Sequence, residues 1–147
     1  MMTTKVKVLI VDDEPLIRSG LELAINSEED LEVVATAQDG LEAAKKAKHH
    51  RPDLILMDIQ MPVLNGIASI KKIRERDAKV IILILTTFNE DEYVIEGLAN
   101  GANGYLIKSA QYGQLLQSIR DAVKGQYFLP IEVAAKLVNY LHNKLES

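Results

Sequence analysis

The chain has 147 residues, 48% of them hydrophobic and 26% charged, with a net charge of −4 and no cysteine. That length suits one domain able to bury roughly 70% of its unfolded surface. The missing cysteines exclude disulfides and thiolate metal sites. The acidic balance excludes an overall basic footprint for nucleic acid, and no apolar run approaches the roughly 18 residues of a membrane span.

The opening MMTTKVKVLIVDDE does not read as a signal peptide, because its apolar run is short and ends in acids. KVKVLIV is β-rich, and DDEP after it suits the first turn of a helix. Ile17, Leu21, Ala24 and Ile25 then fall on one helical face. LEVVATA is a second strand and DGLEAAKKAKHH an alanine-rich helix. DLILM is a third strand. In GIASIKKIRER, Ile67, Ile70 and Ile73 repeat at helical spacing. KVIILIL is a fourth strand, and EDEYVIEGLAN a helix with Gly101 as a left-handed cap. GYLI is a short fifth strand, and QLLQSIRDAVKG a fifth helix ended by Gly125. Alternating strands and helices predict an α/β fold with a parallel sheet covered on both faces. The apolar third and fourth strands belong at its centre and the more mixed second at an edge. Right-handed crossovers then make a doubly wound (βα)5 sheet, whose sites form beyond the carboxyl ends of the strands.

Chemistry-bearing residues stand at those ends. The first strand runs into Asp12 and Asp13, the third into Asp58, the fourth into Thr86 and Thr87, and the fifth into Lys108. Each has an ordinary use: a cap before Pro15, a turn toward Pro62, a cap for the fourth helix, a snorkelling lysine. Their arrival at one edge argues for a shared purpose. Clustered carboxylates repel unless a cation or proton relieves them. Oxygen ligands with no His or Cys beside them suit Mg²⁺ or Mn²⁺. A metal, a lysine and a free carboxylate together make a place for a phosphoryl group.

VDDE, MDIQMPVLNG, LTTF and GYLIK resemble the matching segments of a response-regulator receiver domain of a two-component system, over roughly Lys5 to Lys124. The resemblance implies the flavodoxin-like strand order 2-1-3-4-5. It makes Asp58 the phosphoacceptor, with Asp13, Asp58 and the Gln60 backbone carbonyl as metal ligands and Asp12 acting through water. It gives Lys108 the phosphoryl oxygens, and makes Thr86 and Tyr105 the switch residues. Pro62 and Gly66 match the loop after the acceptor. Gly97 and Gly101 are expected to loosen the fourth helix. The implied partners are a sensor histidine kinase and a second copy on phosphorylation; no membrane is implied. A cytoplasmic location follows from the same resemblance, as does the absence of any enzyme activity beyond the chain's own phosphorylation and dephosphorylation.

Ser109 stands where most receivers carry proline. Together with AVKGQYFLP, this resembles the subgroup named for NarL, FixJ and LuxR. That subgroup continues into a helix-turn-helix output domain, expected here to be mostly or wholly absent, so DNA would be reached only through that domain. The expected division is a receiver at 1–124 and a linker with a carboxy-terminal helix at 125–147. In the tail, Ile131, Ala134, Val138, Leu141 and Leu145 are spaced 3, 4, 3, 4, about two heptads. This stripe is expected to rest on the receiver or on the missing domain, with helix pairing as the alternative. His49, His50 and His142 read as surface residues.

Two other functions are open to such a sheet. An aspartate-nucleophile phosphohydrolase would want Asp-x-Asp after the first strand, where this chain has Asp12, Asp13 and Glu14. A stand-alone receiver would act through protein contacts alone. A nucleotide-binding module lacks both of its glycine-rich patterns here.

Overall fold

The computed structural model describes residues 4–61, 63–87 and 91–146. Pro62 and Phe88, singled out from the sequence, lie outside the described residues. The elements run β1 (Val6–Val11), α1 (Pro15–Asn26), β2 (Leu31–Ala37), α2 (Gly40–His50), β3 (Leu54–Asp58), α3 (Gly66–Arg74), β4 (Ile81–Thr86), α4 (Asp91–Ala99), β5 (Gly104–Ile107), α5 (Tyr112–Val123) and α6 (Ile131–Glu146). All strand pairs are parallel, in the order β2-β1-β3-β4-β5. The expected order and the edge position of β2 are both found.

The near-continuous apolar strands are explained by burial on two faces. Leu9, Val11, Ile55, Met57, Ile82 and Ile84 pack under α2, α3 and α4, beside Ile67, Ile70, Ile73 and Val94. Their alternates Val8, Ile10, Leu54, Leu56, Leu83 and Leu85 pack against α1 and α5, beside Leu21, Ile25, Leu115 and Ile119. Local chemistry starts the helices. Pro15 supplies a preset φ at the head of α1. The Asp39 side chain accepts from the Glu42 N–H (2.8 Å) at α2, and Asn65 accepts from the Ala68 N–H (2.9 Å) at α3.

At Gly97 a Cβ would lie 2.4 Å from Ile84 Cδ1, so the glycine lets α4 rest directly on β4. The tail helix does rest on the receiver, but not by its 3-4-3-4 stripe. α6 lies along α4 with Val133, Leu137 and Tyr140 half-buried and Lys136 bonded to Asp91. Ile131, Val138 and Leu145 stay 84%, 66% and 87% exposed. The surface offered by α4 is the reason: Asp91, Glu92 and Glu96 line the groove it shares with α6, and a purely apolar stripe would strip them of water.

Candidate functional site

In this strand order the direction of winding reverses between β1 and β3, so a crevice opens beyond their carboxyl ends. Val11 pairs with Met57 there, and the next residues along are Asp12 and Asp58. Both are buried, at 0% and 4% exposure. Asp12 is fixed on several sides. Its N–H donates to the Ala37 carbonyl (3.1 Å), and its Oδ1 accepts from the Glu14 N–H (2.9 Å). Its own carbonyl accepts from Arg18 Nη1 (2.7 Å). Asp58 continues β3, and Gly66 seals the turn behind it. The Gly66 N–H donates to the Ile59 carbonyl (2.7 Å), and a Cβ on Gly66 would come 2.2 Å from the Asp58 carbonyl oxygen. Only glycine lets α3 begin that close to the acceptor strand.

Lys108 enters from β5. Its Nζ lies 2.9 Å from Asp12 Oδ2, 3.2 Å from Asp58 Oδ2 and 3.7 Å from Glu14 Oε1. Asp13 is exposed, yet carboxylate oxygens of Asp12, Asp13 and Asp58 all lie within 4.8 Å of one another. Burial and the Asp12 charge push the Asp58 carboxyl up to about 7, against the pull of Lys108. Burial draws the lysine's proton affinity down, but bonding to Asp12 and the charges of both acids win and hold it above the usual value. The buried Asp12 Oδ2, although paired in charge with Lys108, accepts no well-aligned hydrogen bond. Hard oxygen donors around an under-satisfied buried oxygen fit Mg²⁺ or Mn²⁺.

The switch pair stands on the other parity of the sheet. Thr86 ends β4 on the Ile82–Ile84 side, is 1% exposed and donates its hydroxyl to the Thr87 carbonyl (3.1 Å). Tyr105 is half-buried on that same face, in the cluster that also takes Val133 of α6. Gln60 lines a groove of about 380 Å³ with Asp13, Met61, Asn65 and Tyr93 beside the acids. Thus Asp12, Asp13, Asp58 and Lys108 come together, while Thr86 and Tyr105 line the strand ends under α4. Sequence reading missed Arg18, whose guanidinium grips the carbonyl of Asp12. Its spacing of six from that acid, across a loop and a helix start, gave no sign of it. It also missed Glu14 as a third acid near Lys108.

A profile of the response regulator receiver domain matches residues 8–120. The chain belongs to this family. It is 40% identical over 142 residues to the oxygen regulatory protein NreC of Staphylococcus haemolyticus, covering 96% of this chain and 65% of that protein. The chain therefore spans just under two thirds of that relative's length. The receiver domain of the putative response regulator NarL from Mycobacterium tuberculosis superposes with a TM-score of 0.80 at 31% identity, covering 84% of this chain and all of that one. A CheX–CheY–BeF₃–Mg²⁺ complex from Borrelia burgdorferi matches at 29% identity and a TM-score of 0.75, over 81% and 90% of the two chains. The NarL-type subgroup expected from Ser109 agrees with these relatives. Receiver domains are signalling modules that meet sensor kinases and bind Mg²⁺ at an acidic pocket. Among the described residues no helix is long and apolar enough to cross a membrane.

Proposed function

We propose that this receiver is switched by phosphorylation of Asp58. The carrying observation is the pairing of Lys108 with the buried Asp12 and Asp58, with Asp13 at their mouth. An Asp58 carboxylate oxygen attacks the phosphorus of a kinase phosphohistidine, or of a small acyl phosphate. The bond from phosphorus to the donor breaks, and an aspartyl phosphate forms. Asp13, Asp58 and the Gln60 carbonyl would hold Mg²⁺ or Mn²⁺ directly, with Asp12 through water. The bound ion would neutralise charge on the phosphoryl oxygens. Lys108 stands ready to pair with the same oxygens, exchanging one anionic partner for another. Phosphorylation replaces a carboxylate by a group of about −1.5 to −2 charge with three strong acceptors. The Thr86 hydroxyl then leaves the Thr87 carbonyl for one of them. One such bond is worth only about 0.5–1.5 kcal/mol, so it tilts a pre-existing equilibrium at α4 and β5, in which Tyr105 turns inward.

On this reading residues 1–124 are the receiver and 125–147 a linker with its helix. The protein works in the cytoplasm, pairs with a second copy when phosphorylated, and controls transcription through an output domain of the kind its longer relatives have room for. It has no separate substrate. Acetyl phosphate with Mg²⁺ should add one phosphoryl group per chain. Asp58→Ala or excess chelator should abolish the addition, and stoichiometric addition that survives either change removes the proposal.

A further inference from the structure

We propose that the cleft between α2 and α3, at the edge where the strands begin, binds a small amphipathic anion: an apolar body carrying a phosphate or carboxylate group. The cleft holds about 660 Å³, within the roughly 300–1,000 Å³ of small-molecule sites. It stays open because α2 lines it with Ala44 and Ala47, where longer side chains would fill the gap. Buried Pro52, Ile73 and Val80 give it an apolar floor. The whole length of β3 separates it from Asp58. It therefore stands apart from the acid pocket and does not depend on the acceptor assignment.

The rim of this cleft is cationic in a chain whose net charge is −4. Lys45 and Lys48 stand on one bank, Lys72 and Arg76 on the other, and Arg51 at the end of α2. All five are exposed, and among the described residues none of them pairs with an acid. Asp77 is the one acid in the lining, and its Oδ1 already accepts from the N–H groups of Lys79 (2.8 Å) and Val80 (3.0 Å). Helix dipoles give a use to Lys48 and Lys72, which lie in the last turns of α2 and α3. They give none to Lys45, which lies before the last turn of α2, or to Arg76, beyond the end of α3. Arg51 holds left-handed backbone at φ 47, a conformation that favours glycine. Glycine would close α2 with less strain; the arginine sets a guanidinium on the cleft instead. Cations without acid partners above an apolar floor complement a ligand that is anionic at one end and apolar at the other. No aromatic side chain is in the lining, so nothing there stacks a nucleobase.

The test titrates the whole 147-residue chain with octyl phosphate, 1-octanol and inorganic phosphate, followed by amide NMR shifts without divalent metal. Octyl phosphate should give saturable shifts confined to residues 41–52 and 72–80, and should bind at least about tenfold more tightly than either fragment, the product of one charge contact and one buried apolar tail. Lys45→Glu with Lys72→Glu should weaken it about tenfold or more, and Ala44→Leu should block it by filling the gap. Arg51→Gly suits the left-handed backbone, so it should keep or raise the melting temperature while weakening octyl phosphate several-fold. Shifts that do not saturate, or that fall outside those two segments, overturn the proposal. Equal affinity for 1-octanol overturns the role of the cations, and equal affinity for inorganic phosphate that of the apolar floor; either result strikes the amphipathic ligand. Binding to phosphatidylglycerol vesicles that octyl phosphate does not compete away overturns it in favour of a membrane surface. Unchanged binding in Arg51→Gly and in the double variant overturns the site itself.

Discussion

Two cations in this molecule each hold two carboxylates at 3.2 Å or less. Lys108 meets Asp12 and Asp58 at 2.9 and 3.2 Å; Arg120 meets Glu28 and Asp30 at 2.6 and 2.8 Å. The difference is solvent. The Lys108 side chain is 11% exposed and its acids 0% and 6%, whereas the Arg120 side chain is 28% exposed and its acids 31% and 54%. Around Arg120, hydrogen bonding to the guanidinium holds Asp30 below the ordinary carboxylate range, and each charge is satisfied. Around Lys108, burial and the second acid overcome the lysine, and Asp58 rises to about 7. One cluster is a surface clasp. The other carries excess negative charge in a dry place, which a bound cation would relieve.

Removing each cation should separate the two most widely. Without metal at pH 8, Lys108→Met should cost about 3 kcal/mol of stability, because two acids are left buried and unpaired. Urea unfolding would show this, and Mg²⁺ or a second change, Asp58→Asn, should recover most of it. A loss no greater than that of Arg120→Ala would mean that burial does not distinguish the clusters.

The next effect depends on pH. Asp58 has a folded pKa raised above the ordinary 3.8. The folded state then binds more protons than the unfolded one between about pH 4 and 7, so stability falls as pH rises through that window. Asp58→Asn should therefore stabilise the metal-free protein by about 1–2 kcal/mol at pH 8, with the gain vanishing toward pH 4. A gain that is constant with pH would show that Asp58 is not under this stress.

Smaller still, Arg18→Ala should cost about 1 kcal/mol, the worth of one hydrogen bond to the Asp12 carbonyl. It should also weaken Mg²⁺ binding by calorimetry. Unchanged Mg²⁺ affinity would make Arg18 a surface clasp like Arg120. Arg120→Ala should be the mildest, at or below about 1 kcal/mol, with the difference shrinking in high salt.

The two clusters were unequally legible in the sequence. Asp12, Asp58 and Lys108 could be placed together because each follows an apolar run, and parallel strands end on one edge. Arg120 and Asp30 lie 90 positions apart, and no pattern in their surroundings joins a helix end to a loop between α1 and β2. The strands read clearly because burial on both faces leaves continuous Val, Ile and Leu. The seat of Gly97 on Ile84 was not legible, because that neighbour is known only in space. The tail was half-read. Its spacing gave a helix, but docking was decided by Asp91, Glu92 and Glu96 on α4, which favour Lys136 over the apolar stripe.

The most direct test of the central claim is chemical trapping of the acceptor. The whole chain would be treated with acetyl phosphate and Mg²⁺, reduced with borohydride and mapped by peptide mass. Homoserine at position 58, and at no other aspartate, is the predicted result. Conversion at Asp12 or Asp13, or none at Asp58 in a phosphorylated chain, would contradict it.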